Sequence, residues 1–286
     1  MDKPVIASPA VTRHILTRFK LHADKKLGQN FLIDESIVKR IAAAAELTSA
    51  DTVLEVGPGI GTLTQGLAES GANVVAVELD KRLLPVLDVT LKGYDNVRII
   101  NGDILKVDIL KEIGTKNFKV CANLPYYITT PIIFALLEKK LPMERLVAMV
   151  QKEVALRMVA SPGGKEYGAL SVAIQYYTEP EIAFLVPPAS FIPEPTVESA
   201  VIVCRHRTVP PVAVTSEELF FRVVRAAFSL RRKMLNNSLK SMGISSDVCF
   251  KWLEKARIDG KRRAETLNLE EFAALANSYN LIASQS

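Results

Sequence analysis

The sequence is poor in the features that build disulfide frameworks, zinc sites and membrane spans. Its only cysteines are Cys121, Cys204 and Cys249, which are far apart and form no CxxC pair. This pattern argues against both a disulfide framework and a zinc site. No apolar run approaches the roughly 20 residues of a membrane helix, and the N-terminal residues lack a signal-peptide core. We therefore expect a reduced, cytoplasmic protein that binds no metal and enters no membrane.

Apolar residues and charge are present in ordinary amounts. Hydrophobic residues make up 49% and charged residues 23% of the 286 residues, which excludes a disordered or collagen-like chain. The net charge is only +5, so the places where basic residues cluster are more informative than the excess itself. The length predicts about two domains.

Apolar periodicity divides the chain into an α/β part and a helical part. Short β-branched runs predict strands, and helical patterns lie between them, which indicates a parallel sheet with helices on both faces. The predicted strands are 52–56, 73–78, 97–101, 118–122, 145–151, 181–186 and 198–204. After Pro210 and Pro211 only helical patterns follow, at 216–228, 231–242, 247–256 and 269–280. We expect an N-terminal segment over 1–35, an α/β domain over 36–209 and a helical domain over 210–286.

A glycine-rich loop, EVGPGIG at 55–61, directly follows the first predicted strand. Glycines permit a tight turn and a close approach of a ligand to the backbone. Glu78 ends the next strand about 20 residues on, where a carboxylate can hold ribose hydroxyls. Asp103 ends the third strand, where a carboxylate can accept a hydrogen bond from an adenine amino group. The G-x-G-x-G spacing with Pro58 resembles motif I of S-adenosylmethionine-dependent methyltransferases and departs from the dinucleotide fingerprint. A plain strand-to-helix turn is the alternative.

The sequence Asn123-Leu124-Pro125-Tyr126 follows the fourth predicted strand. One interpretation is a proline turn that closes the strand. The other is a resemblance to the (N/D)-(P/L/I)-P-(Y/F/W) motif of methyltransferases that act on exocyclic amino groups. In that interpretation the Asn123 side-chain oxygen and the Leu124 carbonyl accept the two N–H bonds of the amine. Tyr126 offers a ring face on which the base can stack.

Six motifs occur together in one order along the chain. They are KLGQNFL at 26–32, EVGPGIGTLT at 55–64, VELD at 77–80, GDIL at 102–105, NLPY at 123–126 and FIPEPTVESAV at 191–201. From about residue 12 to residue 275 the chain resembles the rRNA adenine dimethyltransferase family, KsgA type. The resemblance implies a Rossmann-like, seven-stranded methyltransferase sheet, six strands parallel and one reversed, and a small all-helical C-terminal domain. It also implies that the N-terminal segment closes over the cofactor.

The resemblance implies a set of site residues as well. The implied S-adenosylmethionine contacts are Asn30, Leu32, Gly57, Glu78, Asp103 and Asn123. The catalytic candidates are Asn123, Leu124 and Tyr126. Phe191 matches an aromatic residue that helps to frame the target base in the family, and a core position is the alternative for it.

Basic residues concentrate between residues 221 and 240, where there is no Asp or Glu. A run of this kind in an arbitrary protein is a solvated face, but beside an adenine-amino motif it indicates phosphate binding. The candidates for contact with RNA are Arg222, Arg225, Arg231, Arg232 and Lys233. Lys20, Lys25 and Lys26 would extend this surface if the N-terminal segment folds near the mouth of the active site.

The resemblance implies a monomeric enzyme that dimethylates N6 of two adjacent adenosines near the 3′ end of small-subunit (16S) rRNA in a pre-ribosomal particle. One alternative is Erm-type dimethylation of large-subunit rRNA, against which the sequence EYGALSV at 166–172 and the long basic helical domain argue. Another is a non-catalytic nucleic-acid-binding paralogue. The intact NLPY motif and the acidic residues Glu78 and Asp103 at the ends of two predicted strands argue against it. An NAD oxidoreductase would need a different glycine spacing.

Overall fold

The computed structural model of the protein describes residues 4–23, 28–114, 117–230 and 232–283. The strands are β1 (Phe31–Leu32), β2 (Thr52–Val56), β3 (Asn73–Glu78), β4 (Val97–Asn101), β5 (Phe118–Asn123), β6 (Met143–Gln151), β7 (Thr178–Val186), β8 (Phe191–Ile192) and β9 (Ser199–His206). The helices are α1 (Pro9–Arg18), α2 (Glu35–Ala44), α3 (Thr62–Glu69), α4 (Leu84–Thr90), α5 (Ile109–Ile113), α6 (Thr129–Glu138), α7 (Lys152–Val159), α8 (Ala169–Tyr177), α9 (Glu217–Phe228), α10 (Leu235–Leu239), α11 (Ser246–Lys255) and α12 (Leu269–Ala283). None of the helices in these ranges combines the length and apolar character needed to cross a bilayer.

Seven of the described strands form one sheet, in the order β4-β3-β2-β5-β6-β9-β7. The strands β4, β3, β2, β5 and β6 run parallel, and β9 pairs antiparallel with β6. The reversed strand that the resemblance implied is therefore β9. This sheet confirms the predicted α/β methyltransferase fold class.

The sheet has a point at which the chain reverses its direction of winding. From β2 the chain moves outwards to β3 and β4, and then crosses back to β5 on the other side of β2. Open α/β sheets bind ligands in the crevice outside the carboxyl ends of the strands at such a point. Because β2 ends at Val56 and β5 at Asn123, the glycine loop and the NLPY motif both lie at this crevice.

Burial explains why these segments form strands and helices. Residues 53–56 of β2 are all buried, as expected for a central parallel strand covered on both faces. The helix α3 begins after Gly61, whose φ of 93° lies in the left-handed region. Its apolar side chains, among them Leu63 and Leu67, pack into the core beneath the sheet.

Contacts between Cα atoms divide the chain into two compact units. The first comprises Met1–Ala155 and Pro180–His206, and the second comprises Leu156–Glu179 and Arg207–Ser286. The chain segment Leu156–Glu179 therefore lies outside the unit that holds the sheet, although the sequence placed it in the α/β domain. The physical reason is aromatic packing within the second unit. The ring of Tyr176 lies 5.0 Å from that of Phe220, and the ring of Tyr177 stacks 5.3 Å from that of Phe221.

The second unit is helical and has its own core. Trp252 is fully buried and donates a hydrogen bond from its indole nitrogen to the Leu275 carbonyl at 2.8 Å. The helix predicted over 231–242 is shorter than expected, because α10 begins only at Leu235. The amide of Leu235 donates to the Arg262 carbonyl, outside the helix, at 2.7 Å.

Candidate cofactor and target-base site

A cavity lies at the carboxyl ends of β2, β3 and β5. Its lining includes the segments 28–32, 55–60, 77–79, 102–104 and 123–128. All six cofactor candidates named from the sequence line it, and so do Leu124 and Tyr126. Among the residues that the structure describes, no group of three His, Cys, Asp or Glu side chains is placed to hold a metal ion.

The glycine loop turns sharply at the edge of the cavity. Gly57 has a φ of 72°, and its amide donates to the Val77 carbonyl at 3.0 Å, which ties the loop to β3. A Cβ atom added at Gly57 would meet no atom within 4 Å. The loop therefore combines a left-handed backbone with open space beside it, which suits the close approach of a ligand.

Glu78 supports the glycine loop in a way that the sequence did not indicate. One carboxylate oxygen, Oε2, accepts from the Gly59 amide at 3.1 Å, and Oε1 accepts from the Asp80 amide at 2.7 Å. Burial raises the pKa of the Glu78 carboxyl, and the hydrogen bonds from Asp80 and Gly59 oppose that rise. Each oxygen has two lone pairs, so both retain capacity for ribose hydroxyls.

We expect Glu78→Ala to weaken S-adenosylmethionine binding more than it slows methyl transfer at saturating cofactor. Contacts to the ribose are made equally in the ground state and the transition state, so their loss appears in binding. Calorimetric titration measures the change, and Glu35→Ala, at an exposed ion pair on α2, is the matched control. Unchanged cofactor affinity in Glu78→Ala would contradict the assignment.

Asp103 follows the end of β4 and lines the cavity. Its Oδ1 accepts from the Leu105 amide at 3.0 Å, and its Oδ2 lies 3.8 Å from the Lys106 ammonium. The side chain is 29% exposed. A half-buried carboxylate with remaining lone pairs can still accept from an amino group.

The segment 28–32 connects the two walls of the cavity. The Gln29 side chain donates to Asp80 at 3.0 Å, and the Asn30 carbonyl accepts from the Asn123 side chain at 3.3 Å. The strand β1 then pairs antiparallel with β8, with Leu32 opposite Phe191. Asn30, which only the family resemblance assigned, therefore lies beside Asn123, and Leu32, assigned in the same way, lines the cavity from β1.

The NLPY motif presents hydrogen-bond acceptors at the cavity. The Asn123 amide nitrogen Nδ2 is engaged by the Asn30 carbonyl, which leaves its oxygen Oδ1 as the remaining polar atom. Leu124 is buried, and its amide donates to the Met149 carbonyl of β6 at 3.0 Å. Among the described residues, no hydrogen bond ends on Oδ1 of Asn123 or on the Leu124 carbonyl. Two neighbouring acceptors can therefore receive an amino group.

The two aromatic candidates have different environments. Tyr126 lines the cavity, and its hydroxyl lies 2.6 Å from the Ser199 hydroxyl. Phe191 is only 3% exposed, belongs to the core cluster that includes Leu32 and Val201, and is not among the residues that line the cavity. The structure places Phe191 in the core, which was the alternative interpretation, and its role in framing the target base stays a prediction.

Glu55 is a candidate that sequence reasoning missed. It lines the cavity, is 1% exposed, and its oxygen Oε2 has no hydrogen-bond partner. Burial raises the pKa of Glu55 to about 8. An orphaned buried carboxyl oxygen in a ligand cavity indicates a missing cationic or hydrogen-bonding group. The available signal was the acidic residue placed two positions before Gly57.

We expect the stability of the cofactor-free protein to fall as the pH rises from about 4.5 to about 8, partly because of Glu55. In that interval the folded protein keeps the Glu55 proton while the unfolded chain releases it. Glu55→Gln should reduce the fall, measured by denaturant unfolding at pH 5 and pH 7.5. Glu46→Gln is the control, because the hydrogen bond from Arg145 lowers the pKa of Glu46. An equal fall in Glu55→Gln and in the unsubstituted protein would contradict this role.

The basic candidates lie in the second unit. Arg222 and Arg225 are exposed on α9, and Arg232 and Lys233 are exposed just before α10. Arg231, Lys25 and Lys26 lie outside the described residues, and Lys20 is exposed after α1. Arg262 instead donates from both terminal nitrogens of its guanidinium to the Glu271 carboxylate and helps to hold the helical unit together.

Comparison with known proteins identifies relatives of the whole chain. Residues 20–281 match the model of the ribosomal RNA adenine dimethylase family. A ribosomal RNA small subunit methyltransferase A from Alkaliphilus metalliredigens is 50% identical over 281 residues, covering 96% of this chain and 97% of that protein. A ribosomal RNA small subunit methyltransferase A from Bacillus cereus is 49% identical over 283 residues, covering 96% of this chain and 97% of that protein.

Two solved structures resemble this one over most of its length. A dimethyladenosine transferase from Plasmodium falciparum has 25% identity and a TM-score of 0.73, covering 88% of this chain and 98% of that one. The 23S rRNA methyltransferase ErmE has 28% identity and a TM-score of 0.65, covering 88% of this chain and all of its own. With its fold, its cavity and its relatives in agreement, the chain belongs to the ribosomal RNA adenine dimethylase family.

Proposed function

We propose that this protein uses S-adenosylmethionine to dimethylate N6 of two adjacent adenosines near the 3′ end of 16S rRNA, as a monomer acting on a pre-ribosomal particle in the cytoplasm. The observation that carries the proposal is the acceptor pair at the end of β5. With Nδ2 of Asn123 held by the Asn30 carbonyl, Oδ1 and the neighbouring Leu124 carbonyl are left for an amino group at the cavity.

The residues of the cavity fit the proposed cofactor. S-adenosylmethionine carries an α-ammonium, a ribose and an adenine, and when bound it supplies an electrophilic methyl group. The orphaned oxygen of buried Glu55 suits the ammonium, Glu78 suits the ribose hydroxyls, and Asp103 suits the adenine amino group. The open backbone at Gly57 lets the ligand lie against the loop.

The acceptor pair has a specific chemical task. The lone pair of an adenine amine is delocalised into the ring, so the nitrogen is a poor nucleophile in the free base. Two oriented acceptors that hold both N–H bonds favour a pyramidal nitrogen and direct its lone pair towards the cofactor. Catalysis then depends on positioning and electrostatics that are already in place before the base arrives.

The target base must leave its stack to reach the acceptors. Tyr126 lines the cavity three residues after Asn123 and offers a ring on which the extruded adenine can stack. The phenol hydroxyl of this ring forms a hydrogen bond with the Ser199 hydroxyl. Such stacking tolerates any base, so we assign the choice of adenine to the acceptor pair rather than to Tyr126.

The relatives favour a small-subunit substrate over a large-subunit one. The relatives named small subunit methyltransferase A are 49–50% identical to this chain over nearly full length, whereas ErmE is 28% identical. A non-catalytic paralogue is disfavoured because the acceptor pair, Glu78 and Asp103 all lie at one cavity.

Primer extension across rRNA tests the proposal. N6,N6-dimethyladenine blocks reverse transcription, so cells without this protein should lose a stop near the 3′ end of small-subunit rRNA. The unsubstituted gene should restore the stop, and Asn123→Ala should not. A stop that persists near that 3′ end while one disappears from large-subunit rRNA would support the Erm-type alternative instead.

A further inference from the structure

Tyr126 has a buried partner outside its own motif. Its hydroxyl lies 2.6 Å from the hydroxyl of Ser199, which is fully buried at the first position of β9. We infer that Ser199 is a positioning residue that fixes the Tyr126 ring for the target base. The inference rests on the proposed role of Tyr126.

Ser199 lies on a part of β9 that is held from two directions. It pairs with Gln151 at the end of β6. The carbonyl of the preceding residue, Glu198, accepts from the Lys152 amide at 3.0 Å, and its carboxylate lies 2.7 Å from the Lys152 ammonium. A fully buried serine on a strand clamped in this way has little freedom to move, so its hydroxyl is a fixed anchor.

The other end of Tyr126 is fixed by the turn that contains it. The Pro125 carbonyl accepts from the Ile128 amide at 3.2 Å and from the Thr129 hydroxyl at 2.9 Å. With the backbone held by this turn and the hydroxyl held by Ser199, rotation about the Cα–Cβ bond of Tyr126 would break the hydrogen bond, so the long axis of the ring is fixed in position.

A ring held at both ends is ready before the base arrives. Stacking requires the ring to lie parallel to the base, and ordering a free ring at that moment would oppose binding. The position of the ring also sets the approach of N6 to Asn123, and small errors in such an approach slow a reaction strongly. The contribution of Ser199 should therefore appear in the rate of methyl transfer.

A double-mutant cycle between Ser199 and Tyr126 tests the inference. The substrates are undermethylated small-subunit particles and saturating S-adenosylmethionine, and the readout is the single-turnover rate. Ser199→Ala and Tyr126→Phe should each slow transfer by roughly 3- to 10-fold, the range of one neutral hydrogen bond. The double variant should be no slower than either single one, and cofactor affinity should not change. Ser190→Ala, which removes another buried hydroxyl outside the cavity lining, should leave the rate unchanged.

The outcomes separate this inference from the role of Tyr126. If Tyr126→Ala transfers methyl groups normally, the proposed role of Tyr126 fails, and the inference fails with it. If Tyr126→Ala is slow but Tyr126→Phe is normal, Tyr126 keeps its role and only the inference about Ser199 is overturned. Additive losses in the double variant would also overturn it, since they indicate a general packing effect. Should Ser199→Ala not fold, the rate of Tyr126→Phe still decides the question.

Discussion

Asn123→Ala is expected to abolish most methyl transfer while the protein still folds and binds S-adenosylmethionine. The substitution removes the acceptor Oδ1 from the site that receives the amine. By analogy with the loss of one oxyanion-hole donor, the barrier should rise by about 2.7–4 kcal/mol, a rate loss on the order of 10²- to 10³-fold. Single-turnover transfer to undermethylated small-subunit particles measures it, with calorimetry as the check on cofactor binding.

A second substitution separates the two hydrogen-bonding tasks of Asn123. Asn123→Asp keeps an acceptor oxygen but cannot donate to the Asn30 carbonyl, which Nδ2 reaches at 3.3 Å. We expect its rate to lie between those of the unsubstituted protein and Asn123→Ala. Near-normal single-turnover rates for Asn123→Ala would refute the amino-positioning role.

Replacing Arg231, Arg232 and Lys233 together with neutral residues should weaken RNA binding and leave cofactor binding intact. If each residue neutralises one phosphate, the slope of log K against log salt should shrink by about 0.7 to 0.9 per lost contact, and affinity at physiological salt should fall by roughly 100-fold. Base choice should not change, because phosphate contacts give position rather than sequence information. Salt-dependent binding to small-subunit particles provides the measurement.

The matched control for this variant carries the same change in net charge elsewhere. Neutralising Lys92, Lys111 and Lys139, which are exposed in the first unit, should alter the affinity and the salt slope far less. If the Arg231, Arg232 and Lys233 variant binds as the unsubstituted protein does, these residues form only a solvated face. The RNA surface must then be sought near Lys20.

Local pattern is enough to predict the centre of the sheet. The strands β2, β3 and β4 have the predicted bounds, because short β-branched runs between glycines and polar residues carry their own signal. Parallel strands present their carboxyl ends at one edge of a sheet, so the sequence alone brings Gly57, Glu78 and Asp103 together there. The spacing of the motifs locates the cavity for the same reason.

Features that depend on distant pairing could not be predicted from local pattern. The strands β1 and β8 have two residues each and are far apart in the chain, too short for any periodicity to reveal them. Their pairing places Phe191 opposite Leu32, and both residues belong to one core cluster. The hydrogen bond between Tyr126 and Ser199 likewise joins two motifs that the sequence shows only as separate strings. The hydrogen bond from the Gly59 amide to the Glu78 carboxylate is another contact between residues that are far apart in the sequence.

The path of the chain between the two units limits how the protein can be divided. Because the segment Leu156–Glu179 belongs to the second unit, the chain enters that unit twice and leaves it once to complete the sheet with β7 and β9. A chain truncated after Arg207 would keep Tyr176 and Tyr177 but lose Phe220 and Phe221, the rings against which they pack. Grafting the helical unit onto a relative therefore requires transferring two separate segments, because Leu156–Glu179 and Arg207–Ser286 together form it.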